Sequence, residues 1–162
     1  MVPERFVKVI KMIHGKLTGS DIVWALTGST SFAIQGIDVV PKDIDIQTDK
    51  EGAYRIEELF SEYVVERVKF KESELIRSHF GKLVIDGIDV EIMGDIQKKV
   101  DGNWEPPVNL PQYILFVDFQ GLKLPVLSLE YEAEAYRKLH RYDRARVLSE
   151  FTSRSQRTQF SH

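Results

Sequence analysis

The 162-residue sequence contains no cysteine. Disulfides, zinc–thiolate sites, iron–sulfur clusters and cysteine nucleophiles are therefore excluded. It also has little net charge: 22 Lys+Arg stand against 25 Asp+Glu, a formal −3. So balanced a chain has no global attraction for nucleic acid or an anionic membrane, which disfavours a long duplex partner. No run approaches the roughly 18 apolar residues of a membrane helix. Residues 1–11 are amphipathic, with Glu4, Arg5, Lys8 and Lys11, and lack the unbroken apolar stretch of a signal peptide. The expectation is a soluble, cytoplasmic protein. Asparagine is confined to Asn103 and Asn109 while charge is high, a composition that leans towards heat-adapted proteins. What is present is core material. Hydrophobic residues make up 43%, enough for one ordinary domain and too many for a wholly disordered chain.

No internal repeat or long linker interrupts the chain. Phe6, Val9, Ile10 and Ile13 recur at helical spacing, so residues 3–18 form an expected amphipathic helix. Residues 22–26 are a short apolar run suited to a buried strand. Thr27-Gly28-Ser29 breaks it, and a short helix should follow, ending near Gly36. Residues 43–47 alternate polar and apolar, the pattern of a two-faced strand. Residues 51–60 have helical periodicity, and 64–70 should be extended. Asp86-Gly87 between two apolar runs predicts a hairpin of 80–85 with 88–93, since both turn positions tolerate positive φ. Gln120-Gly121 predicts a second, of 113–119 with 122–126. Residues 104–111 hold three prolines and should be loop. Ser128 is a plausible N-cap for a helix to about His140, with acids early and bases late. A further helix is expected over 143–151. Residues 1–151 are thus expected as one α/β (α+β) domain with a mixed sheet flanked by helices, and 152–162 as a frayed tail.

Asp43 and Asp45 lie two apart on a strand and share a face. Two such carboxylates repel and raise each other's pKa unless a cation lies between them. Oxygen ligands of this kind suit Mg²⁺, which also favours phosphate partners. Asp89 and Glu91 form a second pair, opposite Ile88, Val90 and Ile92. If the two strands are neighbours, three or four carboxylates converge, as two-metal phosphoryl chemistry requires. Alternating acids on one isolated strand are commonly just its wet face. The glycine turn upstream and the second acidic strand tip the balance towards chemistry. Gly28 allows close backbone approach to a ligand, and Ser29 serves equally as helix cap and as phosphate donor.

Leu26-Thr27-Gly28-Ser29, Asp43-Ile44-Asp45-Ile46 and Val90-Glu91-Ile92 together resemble the nucleotidyltransferase superfamily of the DNA polymerase β type over residues 20–95. Ser29-Thr30-Ser31-Phe32-Ala33 and Val90-Glu91-Ile92-Met93-Gly94-Asp95 are similar to small stand-alone bacterial and archaeal members related to lincosamide and aminoglycoside adenylyltransferases. A weaker likeness extends to about residue 148. The resemblance implies a nucleotidyltransferase fold and transfer of NMP from an NTP, with ATP foremost, to an unknown hydroxyl or amine. The acceptor could be a small molecule, a protein or an RNA end. Gly28 and Ser29 would hold the phosphates. Asp43, Asp45 and Glu91 would hold Mg²⁺ in a two-metal site that Mn²⁺ could also fill. Glu91 is preferred over Asp89 as the third carboxylate, on the run that follows it. Asp49 and Asp95 are expected in turns or caps. Lys138 and Arg141 would reach the triphosphate, although a solvated helix face explains them as well. Arg144 is a weaker candidate.

Two rival readings stand beside this one. The first is an antitoxin-type or other interaction partner with the same fold, and the second an NTP-binding module without turnover. No second domain for an acceptor is evident, which suits a partner protein or a homodimer that completes the site. The charge has an internal asymmetry. Residues 137–162 carry seven Lys/Arg against two Asp/Glu, and the first 136 carry 15 against 23. A triphosphate could bridge the acidic front and the basic rear.

Overall fold

The computed structural model describes the backbone of residues 1–160 and the side chains of residues 1–155. Helix α1 (Glu4–Leu17) buries Phe6, Val9, Ile10 and Ile13, the expected stripe, and Leu17 beyond them. Strand β1 (Trp24–Thr27) leads into α2 (Gly28–Ile34). Strand β2 (Ile44–Thr48) is followed by α3 (Lys50–Leu59), whose N-cap Asp49 accepts from Gly52 N–H at 2.7 Å. Strands β3 (Val64–Glu72), β4 (Ile76–Ile85) and β5 (Ile88–Val100) form a meander longer than the pattern predicts. Strand β6 (Asn103–Trp104) pairs back onto β5 through Asp101-Gly102. Strands β7 (Ile114–Phe119) and β8 (Leu122–Leu127) form the second hairpin. Helix α4 (Leu129–Lys138) begins at Ser128, whose Oγ accepts from Tyr131 N–H at 3.1 Å. Helix α5 (Tyr142–Phe160) closes the described chain.

The hairpin turns behave as their sequences require. Asp86 and Gly87 take φ of 51° and 75°, and Gln120 and Gly121 take 47° and 82°. Asp95 lies inside β5 at φ 51°, where the register against β4 slips. It is therefore a bulge residue rather than a turn or cap residue.

Two further expectations change. Residues 104–111 are not all loop, because Trp104 belongs to β6 and Leu110 opens a short 3-10 turn, Leu110–Tyr113. Helix α5 runs on to Phe160, well past Phe151. Apolar periodicity reports packing against a core, not helicity. Ala145 and Leu148 anchor the first turns, and from such an anchor a helix can propagate into polar sequence. Residues 161–162 of the expected tail lie outside the described residues.

The mixed sheet runs β3-β4-β5-β2-β1-β8-β7. Its centre is partly parallel: β2 with β5, and β1 with β8. Helices α1 and α3 cover one face with the main core, which includes Ile44, Ile46, Val90 and Ile92. Across the other face, Phe32 and Ile37 pack against Leu129, Ala133 and Leu148 of α4 and α5. The two faces of β2 and β5 thus have different duties, and the acids fall on the second.

Candidate active site

Register alone assembles the acidic row. Thr27 of β1 stands opposite Asp45 of β2, and Asp45 stands beside Glu91 of β5. Lys82 of β4 comes next, paired with Glu91. Asp43 leads into β2, two residues before Asp45 and on its face. The Asp45 side chain is within hydrogen-bond reach of Glu91. Asp89 is paired with Val84, one strand alternation further along β5. The pairing thus brings Glu91 rather than Asp89 to Asp45.

Asp45 is the electrostatic centre of the row. Burial, then Glu91 and Asp43, push its carboxyl up to about 7, while Arg144 acts in the opposite sense. Its Oδ1 is buried without a hydrogen-bond partner. Here the repulsion expected of paired acids is enlarged by loss of water.

The glycine turn is built against that carboxylate. Gly28 opens α2 at φ 72°. A Cβ there would overlap Asp45 Oδ2, so both conformation and space demand glycine. Ser29 Oγ accepts from Lys42 N–H at 3.1 Å, and Thr30 Oγ1 donates to the Asp43 carbonyl at 2.5 Å. These two bonds fasten the segment carrying Asp43 to the first turn of α2.

Gly28, Ser29, Asp43 and Asp45 line one side of a cavity of about 620 Å³. Tyr136, Arg141 and Arg144 line the opposite, helical side, with apolar surface from Val40 and Val147 nearby. Both guanidiniums lie against the Tyr136 ring, at 5.5 and 5.7 Å from its centroid, and Arg144 also hydrogen-bonds Tyr136. Lys138 is absent from this lining. Its Nζ is held by Glu105 Oε2 at 2.9 Å, beside buried Lys98. The structure therefore brings Gly28, Ser29, Asp43, Asp45, Glu91 and Arg141 to one place, and leaves Lys138 elsewhere.

Two residues join the site from beyond the motif. Arg144 faces Asp45 across the cavity. Glu132 of α4 is buried against the Gly28 turn: it accepts from Thr27 Oγ1, and from Gly28 N–H at 3.4 Å. A sequence signal existed for Glu132. It lies three residues after Leu129 and four before Tyr136, so it shares their apolar stripe.

The donor chemistry fits a hard divalent cation. The available ligands are all carboxylate oxygens, and one is buried with no partner. Among the described residues, no three His, Asp or Glu side chains already stand close enough together to hold one ion. Asp45 and Glu91 are the two carboxylates within hydrogen-bond reach of each other, and Asp43 lines the same cavity.

The sequence model of the aminoglycoside-2″-adenylyltransferase family matches residues 9–150. A Thermotoga maritima protein assigned as a nucleotidyltransferase shares 50% identity, covering 95% of this chain and 96% of its own, with a TM-score of 0.84. The lincosamide adenylyltransferase LnuA, solved with lincomycin bound, has the same fold at 14% identity and TM-score 0.56, covering 91% of this chain and 97% of its own. ANT(2″)-Ia in complex with adenylyl-2″-tobramycin also shares the fold, at 14% identity and TM-score 0.51, covering 91% and 99%. No curated protein sequence matches. With the matched segment spanning α1 to α5 and enclosing the whole cavity, the chain belongs to the aminoglycoside-2″-adenylyltransferase family of nucleotidyltransferases.

Proposed function

We propose that this cavity catalyses Mg²⁺-dependent transfer of a nucleoside monophosphate from an NTP, ATP foremost, to a hydroxyl or amine of an acceptor in the cytoplasm. One observation carries the reading. A desolvated Asp45 carboxylate with one unpartnered oxygen, flanked by Asp43 and Glu91, faces two guanidiniums across a cavity floored by a glycine turn.

Asp43, Asp45 and Glu91 would hold Mg²⁺, which when bound offsets phosphate charge and acidifies a nearby hydroxyl. Gly28, without a side chain, lets the phosphates approach the backbone, and Ser29 lies beside them. Arg141 and Arg144 bind the triphosphate from the helical wall, where their charge also opposes that building up in the transition state. The acceptor oxygen or nitrogen attacks the α-phosphorus, the α–β phosphoanhydride bond breaks, and pyrophosphate leaves. The acceptor proton passes to a carboxylate, with Glu91 best placed among the acids outside the Asp43–Asp45 pair. Most of the rate gain comes from alignment and fixed charge.

The relatives bind lincomycin and an adenylylated tobramycin, so hydroxyl-rich small molecules head the acceptor panel. The test is a thermal-shift screen of the four NTPs with Mg²⁺, then transfer of α-labelled NTP into that panel and into cell extract. Label in an acceptor, lost in Asp45→Asn, is the expected result. A shift without label in any acceptor supports the binding-module reading, and no shift with any NTP defeats both. A stable protein complex without nucleotide use would favour the interaction-partner reading.

A further inference from the structure

Helix α4 sends a single carboxylate into the interior. Glu132 is 4% exposed, and burial holds its pKa well above the ordinary range. Its Oε1 grips the Thr27 hydroxyl and the Gly28 N–H, and its Oε2 is buried without a partner. A buried carboxylate is costly to desolvate, and an apolar side chain of similar volume commonly packs as well or better. Packing alone therefore does not account for an acid here. What the acid adds is two directed hydrogen bonds to the turn between β1 and α2.

That turn is held from both sides. Asp45 abuts the Cα of Gly28 from the sheet, and Glu132 holds Thr27 and Gly28 from α4. One helical turn further on, Tyr136 meets Phe32 of α2 edge-on, at 6.3 Å between centroids, and carries Arg141 and Arg144 against its ring. The same face of α4 therefore touches both walls of the cavity. We propose that Glu132 is a positioning residue for nucleotidyl transfer: its bonds to Thr27 and Gly28 set the glycine turn in register with the guanidinium wall that α4 and Tyr136 support. The proposal rests on the nucleotidyl-transfer reading of this cavity.

Glu132→Gln keeps an acceptor oxygen at the same place, whereas Glu132→Leu keeps the volume and loses the acceptor. Amide hydrogen exchange of the segment 24–34 reads the turn directly, and melting temperature reads the rest of the fold. Titration with Mg·ATP reads the register of the two walls. In Glu132→Leu, exchange at the turn should rise about tenfold while exchange in α1 and α3 is unchanged. Mg·ATP affinity should fall about tenfold, and melting should stay within a few degrees. Glu132→Gln should match the parent in all three. Unchanged turn exchange in Glu132→Leu overturns the proposal, as does a Gln variant as perturbed as the Leu variant. Faster exchange spread through α1 and α3 with a lower melting temperature would assign Glu132 to general stability instead. If the parent protein does not bind Mg·ATP, the nucleotide reading falls, and turn exchange alone still decides whether Glu132 braces the turn.

Discussion

The two faces of β2 and β5 are built from alternate residues of the same few positions, yet they follow opposite physics. On the α1–α3 face, Ile44, Ile46, Val90 and Ile92 are at most 1% exposed and join the largest apolar cluster. Burial there is favourable at about 25 cal/mol per Å². On the other face, Asp45 is buried beside Glu91 and Asp43, which raises the free energy of its charged form. One face stabilises the fold and the other holds a charge cluster that the fold must tolerate. A period of two lets a single strand do both, and a slip of one residue would exchange them.

Substitutions on either side should separate the two roles. The largest effect belongs to Asp45→Asn, which should lower nucleotidyl transfer about a thousandfold or more while leaving the fold intact; labelled-NTP transfer with circular dichroism checks both halves. Ile46→Ala, one residue away on the dry face, should cost about 3 kcal/mol of stability by denaturant titration. Its kcat/KM should change little in the surviving folded protein. If Ile46→Ala impairs transfer as strongly as Asp45→Asn, the faces are not independent.

The pH dependence sharpens the contrast. Burial and the neighbouring acids push the Asp45 carboxyl up to about 7 from its ordinary value of 3.8. Its contribution to stability is therefore fully present below about pH 4 and is lost as pH rises through 7. The metal-free protein should lose on the order of a few kcal/mol between about pH 4 and pH 8 from this group. Asp45→Asn should lack that slope, as thermal melts across the range will show. Mn²⁺ affinity should run the other way, weakening as pH falls below 7 because the ion must displace the proton.

The smallest pair of effects concerns the helical wall. Arg144→Ala should weaken Mg·NTP binding about tenfold, by calorimetric titration. Lys138→Ala should change it less than about twofold, since Lys138 is committed to Glu105 at 2.9 Å away from the cavity. Equal losses would place both on the triphosphate.

Legibility in the sequence followed range along the chain. The glycine turn, the Asp43–Asp45 pair and the two hairpins were readable because each is decided within a few residues by backbone sterics or by alternation. Their juxtaposition required only that two acidic strands be neighbours, which β2 and β5 are. The residues of the helical wall were less legible. Periodicity groups Leu129, Ala133 and Tyr136 on one side of α4, but it cannot say which distant polar group that side meets. Glu132 finds its partner 105 residues away, at Thr27. Lys138 fitted a basic helix face, yet its fate was decided by Glu105, 33 residues upstream. Arg144 reaches the cavity because α5 folds back over it after His140, which turns the chain at φ 61°, a reversal that periodicity does not report.

The parallel contact between β1 and β8 sets the order of events during synthesis. Leu26 pairs with Val126, about a hundred residues later, and such distant pairings form late and slowly. A chain emerging N-terminus first can complete β1 to β5, with its carboxylates gathered, before β8, α4 and α5 exist outside the ribosome. The guanidinium wall and Glu132 arrive only with the final segment. A polypeptide released early would therefore carry the acidic row without the wall that faces it.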